Sequence, residues 1–210
     1  MTPATHELAV IFDFGNVVAR FDYGRAAHTM GAIVGLKGDE LLARVLSADA
    51  TTLLRRYERG EIATEDFTTE FLRLVRLDIP RKDFEAAWSD IFWLNEPVAR
   101  LIPRIKDLKH PLILGSNTNE LHSSQFRRQF ADLLSQFDRL ILSHEVGHIK
   151  PSARFYLACA EAAERAPSRC VFIDDMRENV EGARAAGLLA IHYQDDPSLA
   201  RELKAAGVDL

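Results

Sequence analysis

The run Leu8-Ala9-Val10-Ile11-Phe12-Asp13-Phe14-Gly15-Asn16 decides the fold. Five apolar residues follow one another without alternation and stop at a carboxylate. Such a run suits a strand covered on both faces, as in a parallel sheet. Four more runs share its length and composition: Pro111–Gly115, Phe137–Leu142, Cys170–Ile173 and Leu188–Ile191. Amphipathic helical patterns accompany the later ones, at Glu96–Leu108, Glu120–Leu134, Ala153–Arg165 and Glu178–Ala186. Strands alternating with helices imply right-handed crossovers between parallel strands. The expected fold class is α/β, a doubly wound (Rossmann-like) parallel sheet.

The alternation breaks once. Residues 20–95 separate the first two runs, far more than a crossover requires, and their pattern is almost all helical. Glu65, Phe67, Phe71, Leu74 and Val75 repeat about one helical turn apart. Thr64 is the expected cap of that helix, with Glu65 and Asp66 in its first turn. Gly60 is expected to end the helix before it. Trp88, Phe92 and Trp93 are spaced as one helical face plus a neighbour and read as interior packing. The chain thus divides into a catalytic core, residues 1–19 and 96–210, and a small helical cap, residues 20–95, inserted after the first strand.

Open parallel sheets bind ligands beyond the carboxyl ends of their strands. The first strand is followed by Asp13-Phe14-Gly15-Asn16 and the second by Ser116-Asn117-Thr118-Asn119. A loop after the third leads to Lys150-Pro151, and the fourth is followed by Asp174-Asp175. The fold brings these groups to one edge. A carboxylate can attack phosphorus and form an aspartyl-phosphate. Anion meeting anion at contact distance costs about 4 kcal/mol at an effective dielectric near 20. A Mg²⁺ on oxygen ligands and a lysine ammonium would offset that repulsion. Pro151 reads as a first-turn proline, which would set Lys150 at a helix N-terminus suited to a phosphate.

The runs VIFDFGNVV, LGSNTN, GHIKP and FIDDMRENVEGA resemble, in order, the four motifs of the haloacid dehalogenase superfamily. Within it the chain is most similar to bacterial α-D-glucose-1-phosphate phosphatases and to the N-terminal phosphatase domain of soluble epoxide hydrolases. ERGEIATEDF and the region of Trp88 look like the small helical cap of that branch. The resemblance implies Asp13 as nucleophile, Ser116 on the phosphoryl oxygens with Asn117 nearby, and Lys150 pairing nucleophile and phosphate. It implies Mg²⁺ held by Asp13, the Gly15 carbonyl, Asp174 and Asp175. Asn117, Asn119, Tyr23 and Arg25 are the candidate substrate contacts, while Ser116 and Asn119 are also candidate caps of the helix that follows.

One position departs from most phosphatases of the superfamily. They carry a second aspartate two residues after the nucleophile, as general acid and base; here Gly15 stands there. Such help is worth roughly 10²–10⁴-fold. The sugar-phosphate branch also reads Gly-Asn, which suggests a sugar 1-phosphate, whose hemiacetal oxygen leaves readily. Two alternatives stay open. A 2-haloacid dehalogenase uses a similar aspartate, Ser-Asn pair and lysine but has no use for Asp174–Asp175. A catalytically silent phosphate-binding protein would share the same signature.

Composition narrows the partners. Lys+Arg 26 against Asp+Glu 31 leaves a net charge of -5, without the basic excess that nucleic acid requires. No run is long and apolar enough to span a bilayer, and the N-terminal MTPATHELAVIFDF, whose short apolar run already meets an aspartate, reads as neither signal peptide nor anchor. Cys159 and Cys170 read as buried hydrophobes, consistent with a reduced, cytoplasmic protein. His144 and His148 precede Lys150 without the partners a zinc site needs. A small phosphorylated substrate is the expected partner of a monomer or homodimer.

Overall fold

The structure, a computed structural model, describes residues 8–194, 196–208 and 210. Met1–Glu7, including the start of the segment judged not to be a leader, lie outside the described residues. The chain runs β1 (Ala9–Phe12), β2 (Ala19–Phe21), α1 (Tyr23–Val34), α2 (Gly38–Val45), α3 (Ala48–Glu58), α4 (Thr64–Val75), α5 (Arg81–Ser89) and β3 (Phe92–Leu94). It continues through α6 (Glu96–Ala99), α7 (Leu101–Asp107), β4 (Leu112–Ser116), α8 (Glu120–Gln129), α9 (Ala131–Leu134), β5 (Arg139–Leu142) and α10 (Ser143–Val146). It finishes with α11 (Ala153–Ala162), β6 (Cys170–Asp174), α12 (Arg177–Ala185), β7 (Leu189–His192) and α13 (Asp196–Ala205).

The five expected runs pair in the order β5-β4-β1-β6-β7, every ladder parallel. The fold is a doubly wound α/β sheet. β1 is central because it is apolar on both faces. Val10 and Phe12 join Leu112, Leu114, Val171 and Ile173 in one core. Ala9 and Ile11 join Ile113, Cys170 and Phe172 in another beneath α11 and α12. The chain builds one side of β1 first, then crosses to the other. That reversal places the ends of β1, β4 and β6 around one crevice.

Residues 20–95 are not wholly helical. β2 and β3 form an antiparallel ribbon, with Ala19 opposite Leu94 and Phe21 opposite Phe92, so the helical insertion is entered and left side by side. Phe92 and Trp93 therefore belong to a strand, not to the helix that carries Trp88. Phe92 turns inward and Trp93 is exposed, as alternation in a strand requires. Asn95 fixes the base of the ribbon: its Nδ2 donates to the Val17 carbonyl at 2.8 Å and to the Tyr193 hydroxyl at 2.8 Å.

Two long helical patterns are each split. The first divides at Arg100, because Pro103 has no N–H to give the Ala99 carbonyl. The second divides at Phe130, whose ψ of 31 leaves the helical range.

The insertion has its own aromatic core. Tyr57 stacks on Phe67 with centroids 4.2 Å apart, and Trp88 packs against Phe71 at 4.8 Å. Trp88 also stacks on His122 of α8 at 5.4 Å and 13°, joining the insertion to the sheet. Asn119 Nδ2 can only donate, so His122 Nδ1 accepts it at 3.0 Å, and Nε2 donates to the Trp88 carbonyl at 3.0 Å. Burial lowers His122 to about 4, so the ring is neutral.

Thr64 does not cap α4. Ala63 holds that position, while the Thr64 hydroxyl meets the Tyr57 hydroxyl at 2.7 Å and bonds Glu120. Gly60 does terminate α3. Gly60 N–H donates to the Tyr57 carbonyl at 2.9 Å and Glu61 N–H to the Arg56 carbonyl at 3.0 Å, a Schellman pair. Its φ is +67, and a Cβ there would collide with the His144 carbonyl oxygen. Gly60→Ala is expected to lower stability by more than about 1–2 kcal/mol, the left-handed penalty alone, read as a lower urea midpoint at unchanged slope.

Candidate active site

Asp13 ends β1 and is buried. Its Oδ1 accepts the Phe14 N–H at 2.7 Å and the Lys150 ammonium at 2.6 Å. Lys150 Nζ also donates to Asp174 Oδ2 at 2.8 Å and to the Gly115 carbonyl at 3.2 Å. An ammonium has three N–H groups, and each has an acceptor at the end of a different strand: β1, β4 and β6. Lys150 is not at a helix N-terminus as expected. Its bond to Pro151 is cis, and α11 begins only after Ser152. The lysine is aimed by Asn117 instead. Asn117 Oδ1 accepts the Lys150 N–H at 2.8 Å, and Nδ2 donates to the Lys150 carbonyl at 3.2 Å.

Asp174 is wholly buried. Its second oxygen accepts the Met176 N–H at 2.8 Å and Asn179 Nδ2 at 2.9 Å. Asp175 is half-buried and accepts Asn16 Nδ2 at 3.1 Å. Asn16 reaches it from a left-handed backbone, φ 56, which Asn tolerates better than most residues. Sequence reasoning placed Asn16 at this edge without assigning it a role, and it left Asn179 out of the site. The only trace of Asn179 is a polar residue on the buried face of α12.

One oxygen from each of Asp13, Asp174 and Asp175 lies within 4.8 Å of the others. Three carboxylates against one ammonium leave a crowded negative site. Burial pushes the Asp13 carboxyl up to about 7; Lys150 pulls it down and Asp174 pushes it further up. Burial also raises Asp175, against the Asn16 bond and with Asp174. Burial disfavours the Lys150 ammonium, but Asp13 and Asp174 outweigh that and hold it charged. A hard divalent cation fits this donor set: all oxygen, with the carboxylates ill at ease until a cation joins them.

A cavity of about 330 Å³ opens in front of Asp13, lined by Gly15, Asn117, Lys150 and Asp175 from the sheet and by Tyr23 and Glu58 from the insertion. A second, of about 70 Å³, shares Gly15, Tyr23 and Glu58 and is bordered by Ser116. Among the described residues the Ser116 hydroxyl has only the carbonyl of its neighbour Asn117, at 3.3 Å. Two expected substrate residues do not reach either cavity. Asn119 caps α8, its Oδ1 accepting the His122 N–H at 3.1 Å. Arg25 lies outside, over the Trp93 ring at 5.6 Å and 3.8 Å from Asp90. Gly15 is glycine for a spatial reason: a Cβ there would sit 2.9 Å from the Phe21 ring.

The family model of haloacid dehalogenase-like hydrolases matches residues 8–187. The chain belongs to that family. It is 24% identical to a D-ribitol-5-phosphate phosphatase of Bacteroides thetaiotaomicron, over 92% of this chain and 95% of that one. It is 30% identical to a phosphatase of Mycobacterium tuberculosis, over 87% and 85% respectively. A crystal structure of a Bacteroides thetaiotaomicron HAD family enzyme, in complex with magnesium and inorganic phosphate, shares the fold. Its TM-score is 0.72 at 21% identity, covering 89% of this chain and 94% of that one.

Removing the ammonium would strand two buried carboxylates. Lys150→Met should therefore cost about 3–5 kcal/mol of stability, measured by urea unfolding. Adding Asp13→Asn should recover part of that loss, since one stranded charge is gone.

Proposed function

We propose that this chain is a magnesium-dependent phosphatase that cleaves small phosphate monoesters through an aspartyl-phosphate on Asp13. The single observation that carries this is the convergence of Asp13, Asp174 and Asp175 around the Lys150 ammonium, at the mouth of a cavity of small-metabolite size. Asp13, Asp175 and the Gly15 carbonyl would hold the metal, with Asp174 beside them. Bound there, Mg²⁺ supplies charge neutralisation for the phosphoryl group. Asp13 Oδ1 is occupied by Phe14 and Lys150, and its other oxygen accepts no hydrogen bond among the described residues, which leaves it for attack. Lys150 screens nucleophile from phosphate and holds Asp13 oriented. Ser116 and backbone N–H groups beside it offer donors to the phosphoryl oxygens.

The helical insertion acts as a cap whose residues choose the alcohol part of the substrate. Tyr23 is the expected substrate residue that fits; Asn117 serves by positioning Lys150. With no carboxyl at position 15 itself, a sugar 1-phosphate is the favoured substrate, because its hemiacetal oxygen leaves more easily than an ordinary alkoxide and so depends less on where an acid stands. The curated relative named for ribitol 5-phosphate supports a phosphorylated sugar or polyol more broadly. The carboxylate cluster argues against the dehalogenase alternative, which has no role for it. The two cysteines are free, buried thiols, in keeping with a reducing cytoplasm.

Phosphate release from glucose 1-phosphate, glucose 6-phosphate and ribitol 5-phosphate, with Mg²⁺ and with EDTA, tests this. Turnover is expected only with Mg²⁺, and Asp13→Asn should abolish it. A clear preference for glucose 6-phosphate defeats the 1-phosphate assignment. Chloride release from 2-chloropropionate in EDTA, with no phosphate release, defeats the phosphatase.

A further inference from the structure

An ester oxygen leaving phosphorus as an alkoxide needs a proton, and the groups around Asp13 are poorly placed to give one. Each N–H of the Lys150 ammonium is already held, and its two carboxylate partners strengthen its grip on its protons. Asp174 has both oxygens engaged. The Tyr23 hydroxyl is raised by burial and then by the charge of Glu58. Gly15 has no side chain, and the Phe21 ring fills the space where one would begin.

Glu58 is different. It closes the last turn of α3 and lines both cavities. Thr51, Leu54 and Arg55 line the larger cavity from the same helix, at the spacing of one helical face. No hydrogen bond or ion pair engages its carboxyl among the described residues. Glu58 is half-buried, and its carboxyl faces the cavities with no protein group among the described residues holding it in one protonation state, so it is free to exchange a proton with what binds there. We propose that Glu58 is the general acid and base of this site, supplied by the insertion in place of the side chain missing at position 15.

The assignment rests on the phosphatase reading above. Asp13 bonds to phosphorus as the bond from phosphorus to the ester oxygen breaks. Glu58 gives its proton to that oxygen, and the alcohol leaves. Water then attacks the phosphoryl group on Asp13 and passes a proton to Glu58. The aspartyl bond breaks, inorganic phosphate forms, and Glu58 is again protonated. Ester plus water becomes alcohol plus phosphate, with no further reactant. Burial pushes the Glu58 carboxyl up to about 7, against the opposing pull of Arg55, Lys150 and Arg59. A group near that value can donate and accept at neutral pH.

The test is kcat/KM for Glu58→Gln with ribitol 5-phosphate, glucose 1-phosphate and p-nitrophenyl phosphate in Mg²⁺. This ratio reports steps up to departure of the leaving group. The loss should shrink as the leaving group improves: roughly 10²-fold or more on ribitol 5-phosphate, less on glucose 1-phosphate and least on the aryl ester. Glu58→Asp, which keeps an acid on a shorter arm, should recover part of the ribitol 5-phosphate rate. A urea midpoint matching the wild type's controls for folding. Equal losses on all three substrates would overturn the assignment. So would a higher KM at unchanged kcat, which makes Glu58 a partner for a substrate hydroxyl. Wild-type protein inert toward all three overturns the phosphatase reading itself, whatever Glu58 does.

Discussion

Three strands of the sheet end within reach of one ammonium ion. Lys150 donates to Asp13 on β1, to the Gly115 carbonyl on β4 and to Asp174 on β6. A buried cation is tolerable only when its donors are satisfied and its charge is matched. Other features of the site follow from that requirement. Asn117 holds the lysine's backbone at both N–H and carbonyl. Asn179 and the Met176 amide hold Asp174 from the other side. The sheet must be parallel, and the chain must reverse beside β1, for these strand ends to meet.

The same interaction explains the character of the metal site. Lys150 neutralises one carboxylate and leaves the others competing. Burial first, and the charge of Asp174 after it, raise both Asp13 and Asp175. The protein folds around a local excess of negative charge that a divalent cation relieves. The lysine holds Asp13 in place and favours its charged form without completing the charge balance.

Much of this was legible in the sequence because the signals were short and local. The uninterrupted apolar runs located the strands, and the residues straight after them located Asp13, Ser116, Lys150 and the Asp174–Asp175 pair. What failed to show had a non-local cause. The ribbon of β2 and β3 consists of segments too short to establish a period, and its strands find each other only across the whole insertion. Asn119 was open to both substrate contact and helix capping, and capping claimed its side chain. Arg25 is only two residues from Tyr23, but that spacing turns it to the far side of α1, at the surface over Trp93. Thr64 left its capping position because Tyr57 and Glu120 offered stronger partners. Glu58 carried no signal, since a glutamate near the end of a helix is among the commonest surface residues.

Gly15 and Phe21 form a pair whose consequence is historical. A side chain at position 15 meets the Phe21 ring, and that ring is packed against Tyr23 at 5.6 Å and Phe92 at 6.3 Å. A smaller residue at 21 alone would open a gap in the ribbon, and a larger one at 15 alone would clash with it. Each position therefore limits the other, so the effects of changing them are coupled instead of additive. A carboxylate arriving at 15 has to find the Phe21 ring displaced or replaced, and a lineage that gains one there should show change at 21 as well.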